Sequence, residues 1–167
     1  MVDRNALAAH LRYSAWASKK LLDFAAGVPA EHVTRQIDNS HGGILKTFQH
    51  IYYADRIWLS RMEARPAAFA DPDPGPSLTD LNANWWPLLA RFSRWASQQP
   101  PHQGDASAIV EYKTLKGETY AKPINQIVLH VVNHGTYHRG QITAMLRQLG
   151  HIPPFTDLIY FTDDLLD

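Results

Sequence analysis

The segment from His130 to Gln141 reads His-Val-Val-Asn-His-Gly-Thr-Tyr-His-Arg-Gly-Gln, and it places three of the chain's nine histidines four residues apart, at 130, 134 and 138. In a helix, residues four apart lie about 40° from one another around the axis and about 6 Å along it, so the three imidazoles line one face. Neutral imidazoles one turn apart can hold a divalent cation through their ring nitrogens. A single H-x3-H pair is a weak signal in a histidine-rich chain, whereas a triple at this spacing is much rarer. A polar stripe of hydrogen-bonded histidines with no metal would look the same, and spacing alone leaves both readings open. The zinc-protease motif does not apply. It needs a glutamate directly after the first histidine as general base, and here Val131 follows His130 and Gly135 follows His134.

The rest of the composition narrows the chemistry. With no cysteine in 167 residues, no thiolate can ligate a metal, no disulfide can form and no protein thiol can act as nucleophile. Any metal must therefore be held by His, Asp or Glu. Sixteen basic and 16 acidic side chains give a formal charge of zero, which argues against a general nucleic-acid binder. Residues 1–22 carry Asp3, Arg4, Arg12, Lys19 and Lys20 with no apolar run, so neither a signal peptide nor a membrane span is read there, and a cytoplasmic protein is the simplest expectation.

Two ligands on one helix need at least one more from elsewhere. His32, His102 and His151 stand beside predicted chain breaks and read as solvated. His41 reads as serving the first turn of a second helix, His10 sits near Leu7 and Leu11, and His50 lies mid-helix beside Tyr53, Ala54 and Ile57. Periodicity does not select among these three.

The elements that must position the histidines are helical. Asp3 or Asn5 can cap a first helix carrying Leu7, Leu11, Ala15, Leu22 and Ala25, ended by Gly27 and Pro29. Ser40 can cap a second, with Leu45, Phe48, Tyr52, Leu59 and Met62 on a wide apolar arc. Four prolines and a glycine make 65–76 a loop. Ser77-Leu78-Thr79-Asp80 resembles a capping box ahead of a third helix with Leu81, Trp85, Leu88, Phe92 and Trp95 in register. Pro87 inside it predicts a kink or a later start, and Pro100-Pro101 end it. Of its aromatics, Trp85, Trp86 and Trp95 read as core or dimer contacts. Residues 109–112 and 118–121 around Lys116-Gly117 read as a short hairpin. Pro123 then suits the first turn of a last helix carrying Ile127, Val131, His134, His138, Ile142, Met145 and Leu149, which stops at Gly150 and Pro153-Pro154. Leu158 to Phe161 are apolar enough to pack back on the body. The expected fold is all-α: one domain over residues 1–167, a four-helix bundle with a short β-hairpin before the last helix.

The segment His50 to Leu59 (His-Ile-Tyr-Tyr-Ala-Asp-Arg-Ile-Trp-Leu) and the segment Asn133 to Gln141 together resemble the DinB/YfiT-like family. The resemblance spans nearly the whole chain, including the Tyr112, Gly117 and Tyr120 region and the stretch from Pro154 to Ile159. It implies a four-helix bundle that usually dimerises and one divalent metal held by three histidines, ligands that suit zinc or nickel. Position by position these are His50, His134 and His138. His130 aligns with a position that is often polar but is not one of the three, which implies a supporting or substrate-cavity role. Despite the family's name, nothing here resembles a lesion-bypass polymerase.

Three imidazoles leave a bound dication with net charge near +2 and room for a further ligand, the arrangement usual in catalytic sites. Such an ion can lower the pKa of water to about 7, or activate an exogenous thiol. Characterised relatives include S-transferases and isomerases that use low-molecular-weight thiols. The resemblance therefore implies metal-dependent addition or transfer of a small thiol to a small electrophilic substrate, with His130, Tyr53 or Tyr137 assisting proton transfer. Metal-dependent hydrolysis, or a non-catalytic metal-binding stress-response protein, are the alternatives. No nucleic-acid or membrane partner is expected. Gly135 and Gly140, costly in a helix interior, suggest close helix approach near the site, and Arg139 suggests a structural charge pair.

Overall fold

A computed structural model describes residues 4–65, 75–98, 107–114 and 116–162. Four long helices dominate: α1 (Arg4–Ala26), α3 (Ile44–Met62), α4 (Leu78–Gln98) and α5 (Ile124–Gln148), with a short α2 (Ala30–Thr34) between the first two. Strands β1 (Ile109–Lys113) and β2 (Thr119–Pro123) form an antiparallel hairpin in which Tyr112 pairs with Tyr120. Helix α1 packs on α4 and α5, and α3 packs on α5 and α4. The four long helices therefore close a ring in the order α1–α4–α3–α5, which is the expected bundle with its hairpin ahead of the last helix. Among the described residues no helix is long and apolar enough to cross a membrane. Asp3, the prolines at 66, 72 and 74, Pro100, Pro101 and His102 lie outside the described residues.

Local sequence explains most boundaries. The capping box at Ser77 is present in full: the Ser77 N–H donates to the Asp80 carboxylate (3.0 Å) and the Asp80 N–H donates to Ser77 Oγ (3.2 Å). Aspartate thus serves where glutamate is usual. Helix α4 begins directly after Ser77, the first residue of this box, and runs through Pro87, so the later start is not observed. At α5 Pro123 stands just before the helix, as the last residue of β2 and the N-cap.

Two expectations fail for stated reasons. Ser40 does not cap α3. The helix begins at Ile44 behind Gly43, and the preceding turn is closed by Asn39, whose Oδ1 accepts the N–H groups of His41 (3.0 Å), Gly42 (2.6 Å) and Gly43 (3.1 Å). An Asx side chain satisfies three donors at once, which a hydroxyl one residue later cannot do. In the C-terminal segment, Phe161 packs edge-on against Tyr13 (6.0 Å between ring centroids), but Leu158, Ile159 and Tyr160 are exposed, Ile159 to 85%. A 3-10 turn at Leu158–Tyr160 sends successive side chains outward around its axis. Helix α2 was not anticipated, being only five residues long.

The core has two apolar halves. One gathers Leu7, Leu11, Leu59, Phe92, Trp95 and Val131. The other gathers Leu21, Phe48, Ile51, Leu81, Trp85 and Ile142. On three of the long helices buried polar residues fall between the two: Ser14 and Ser18 on α1, Asp55 on α3 and Arg139 on α5. The Arg139 guanidinium donates to Ser14 Oγ (3.0 Å), Ser18 Oγ (3.2 Å) and Thr136 Oγ1 (2.9 Å), and lies over the Tyr13 ring at 5.6 Å. Besides these hydroxyls it donates to the Ser14 carbonyl (3.4 Å), and the Asp55 carboxylate acts on it as a nearby charge. Burial pushes the Asp55 carboxyl up to about 7, against the opposing effects of the Trp85 indole N–H (2.8 Å) and the Arg139 charge. Of the tryptophans, Trp85 and Trp95 are buried in the core.

Candidate metal centre

The polar layer opens into a cluster of imidazoles where α3, α5 and the turn before α3 meet. His50 projects from α3, and His134 and His138 project from one face of α5. The Nε2 atoms of His50 and His134 are 2.9 Å apart. Ring centroids are 4.5 Å apart for His50 and His138, and 4.4 Å for His134 and His138. The structure therefore brings the three histidines of the sequence argument together across two helices.

A fourth imidazole joins them. The His41 ring stacks on His50 with centroids 3.9 Å apart and meets His138 edge-on at 4.9 Å. Ligand atoms of His41, His50 and His138 all lie within 4.8 Å of one another. His41 was read from sequence as serving a helix turn, and its convergence on His50 and His138 was missed. The one signal for it was the following Gly42-Gly43, both at positive φ (86° and 134°). At Gly43 a Cβ would lie 2.4 Å from the Arg35 carbonyl oxygen, so glycine permits the tight turn that brings His41 over the helix it precedes.

These donors fit a divalent cation. Two metal–nitrogen bonds of about 2.0–2.1 Å at angles between square and tetrahedral span roughly 2.9–3.4 Å between nitrogens, and the His50–His134 separation lies at the short end of that range. Burial, then the mutual repulsion of neighbouring imidazoles, holds His50 down to about 4 and His134 down to about 3. His41 is lowered by burial and then by His138. At neutral pH these three rings are uncharged, with lone pairs available for a Lewis acid. His138 Nδ1 lies 2.8 Å from Gln141 Oε1. That contact fixes the N–H on Nδ1 and leaves Nε2 as the free ligand atom, the usual support for a metal-binding histidine. Gln141 ends the motif three residues after His138, so this support was available in the sequence.

The other singled-out residues surround the cluster unequally. His130, one turn below His134, lies edge-on to Trp58 at 5.3 Å, with its ring centroid 5.9 Å from His134. Its pKa is lowered by burial and by the Arg61 charge. Tyr137 is 65% exposed with its ring 5.0 Å from His138, open to solvent at the edge of the site. Tyr53 is half-buried, 5.6 Å from Tyr52 and 6.0 Å from the Arg56 guanidinium. His10, on α1, belongs to no such group of ligands among the described residues. His32 and His151, read as solvated, are instead 2.8 Å apart and partly buried.

The two helical glycines separate. A Cβ on Gly135 would lie 2.8 Å from Arg139 Nη1 and 3.3 Å from Ser14 Oγ, so the buried Arg139 guanidinium, seated between α5 and α1, occupies the space a side chain would need there. Around Gly140 nothing lies within 4 Å of that position, so close approach does not explain this glycine.

The family model for the DinB family matches residues 1–164 of the chain. Protein DinB of Bacillus subtilis (strain 168) is 24% identical over 153 residues, covering 87% of this chain and 87% of that protein.

Proposed function

The chain belongs to the DinB family, and from that premise we propose that it uses a divalent transition metal, zinc or nickel, to activate a low-molecular-weight thiol for attack on an electrophilic small molecule. The observation that carries the reading is the convergence of uncharged imidazoles from α3, α5 and the His41 turn, with His50 and His134 ring nitrogens 2.9 Å apart. His50, His134 and His138 are read as the three ligands. When bound, the metal would supply Lewis acidity, favouring the deprotonated form of a thiol or water at the site.

The chain's own residues do the rest. Three ligands come from helices, whereas His41 comes from a non-helical turn, closed by the Asn39 side chain and by one backbone bond from the Ile37 N–H to the Gly42 carbonyl (3.2 Å). His41 is thus the imidazole that can move aside most cheaply, and its place is read as the one the incoming thiol takes. Tyr137 beside His138, and His130 one turn before His134, are read as taking up or returning a proton at the edge of the cluster. Tyr53 serves the same role from α3 on this reading. The absence of cysteine requires the thiol to come from solution, because no side chain can replace it.

The test is turnover by zinc- or nickel-loaded protein given glutathione, bacillithiol or mycothiol with a chlorinated aromatic or epoxide. The expected result is product formation that requires both the thiol and His138. Hydrolysis at an unchanged rate without thiol would move the reading to a metal-dependent hydrolase. Absence of both thiol binding and turnover, with loss of fold on chelation, would leave a metal-stapled bundle with no catalytic role.

A further inference from the structure

His32 and His151 are 119 positions apart in sequence, yet His32 Nδ1 and His151 Nε2 are 2.8 Å apart, with ring centroids 5.1 Å apart at 63°. Each backbone is fixed independently of this contact. His32 lies in α2, where its N–H donates to the Pro29 carbonyl (2.9 Å), and the next residue, Val33, is 3% exposed in the same apolar cluster as Leu146. His151 follows the end of α5. Gly150 at φ 85° donates to the Arg147 carbonyl (3.0 Å), and the His151 N–H reaches back to the Leu146 carbonyl (3.0 Å). These two bonds form a Schellman closure of the helix. The fold therefore delivers two imidazoles to one spot from two anchored segments.

We propose that His32 and His151 form a second divalent transition-metal site, outside the central cluster. Two nitrogens bonded to one ion at about 2.0–2.1 Å lie roughly 2.9–3.4 Å apart, so the pair opens around an ion with a shift of about half an ångström. The His50–His134 pair has nearly the same spacing, 2.9 Å. Both rings are partly exposed, which leaves the remaining coordination positions to water. Imidazole nitrogen with water selects copper, nickel and zinc over magnesium and calcium. The ion would tie α2 to the C-terminal end of α5. The competing account of the same distance is a hydrogen bond between two neutral rings, with one donating and the other accepting.

The test is zinc titration of the full chain by calorimetry, with native mass spectrometry for stoichiometry. Wild type is expected to bind two equivalents, the second filling at zinc concentrations at least about tenfold higher because it has fewer protein ligands. His32→Gln and His151→Gln are each expected to lose the second equivalent and keep the first. In a His50→Ala/His138→Ala background the weaker equivalent is expected to persist and to vanish on adding His151→Gln, which separates this site from the proposed function. A second equivalent that survives both single variants, or a wild type that binds only one, would overturn the proposal. Loss of stability in His151→Gln with zinc stoichiometry unchanged would assign the pair to a hydrogen bond instead.

Discussion

Replacing His138 by alanine is expected to weaken zinc binding by more than about 100-fold. Removing even a group that only supports a metal ligand costs about 10–100-fold, and that smaller loss is the one expected for Gln141→Ala, which frees the His138 ring to turn. His138 itself is 6% exposed, meets the rings of His41, His50 and His134, and belongs to every three-histidine combination considered for the centre. Among the described residues no carboxylate joins the three histidines as a ligand group, and the chain has no cysteine at all. Alanine favours the helix at this position, so α5 should persist and the loss should read as lost ligation. Competition against a chelator of known affinity, with circular dichroism on the same samples, measures both. An affinity within tenfold of wild type would remove His138 from the centre.

Arg139→Ala is expected to destabilise the fold by about 3–5 kcal/mol, the range for removing one member of a buried charged network. For a chain of this length that corresponds to a fall in Tm of order 10 °C. Arg139 is 2% exposed and heads the group of largest fully buried side chains. Its removal leaves a cavity, and it strips a charged donor from Ser14, Ser18 and Thr136. It also leaves the Asp55 carboxyl without the nearby positive charge that offsets its burial. Arg139→Lys should recover only part of the loss, because an ammonium cannot reproduce the planar fork that reaches three hydroxyls. Thermal and urea unfolding of the metal-free proteins are the measurements. A loss under 1 kcal/mol for the alanine variant would mean that water or repacking replaces the network.

Periodicity, capping chemistry and the hairpin signal were enough to place the four long helices and the hairpin, because each rests on local sequence: Ser77 with Asp80, Gly150 after α5, and Lys116-Gly117 between strands. The contributions that depend on tertiary contact were not legible. His151 stands beside Gly150, which reads simply as the stop of the last helix, and His41 reads as serving a helix turn; only the folded chain shows what each turn carries to a neighbour. The α3–α5 pairing that sets His50 against His134 is likewise non-local. It came from family resemblance and not from the spacing of residues on either helix. The exposure of Leu158 to Tyr160 was misread because apolar character says nothing about which way a short 3-10 turn points its side chains.

On the proposed reading, His50, His134 and His138 hold the metal, while His41 is the displaceable neighbour. The most direct measurement is zinc content by native mass spectrometry of His41→Ala and His134→Ala side by side, each purified without a metal-affinity step, carrying His32→Gln and His151→Gln, and reconstituted under the same chelator. One tightly held ion in His41→Ala and none in His134→Ala is the predicted result. Retention of the ion by His134→Ala with its loss from His41→Ala would contradict it, and would transfer the third ligand to the turn before α3.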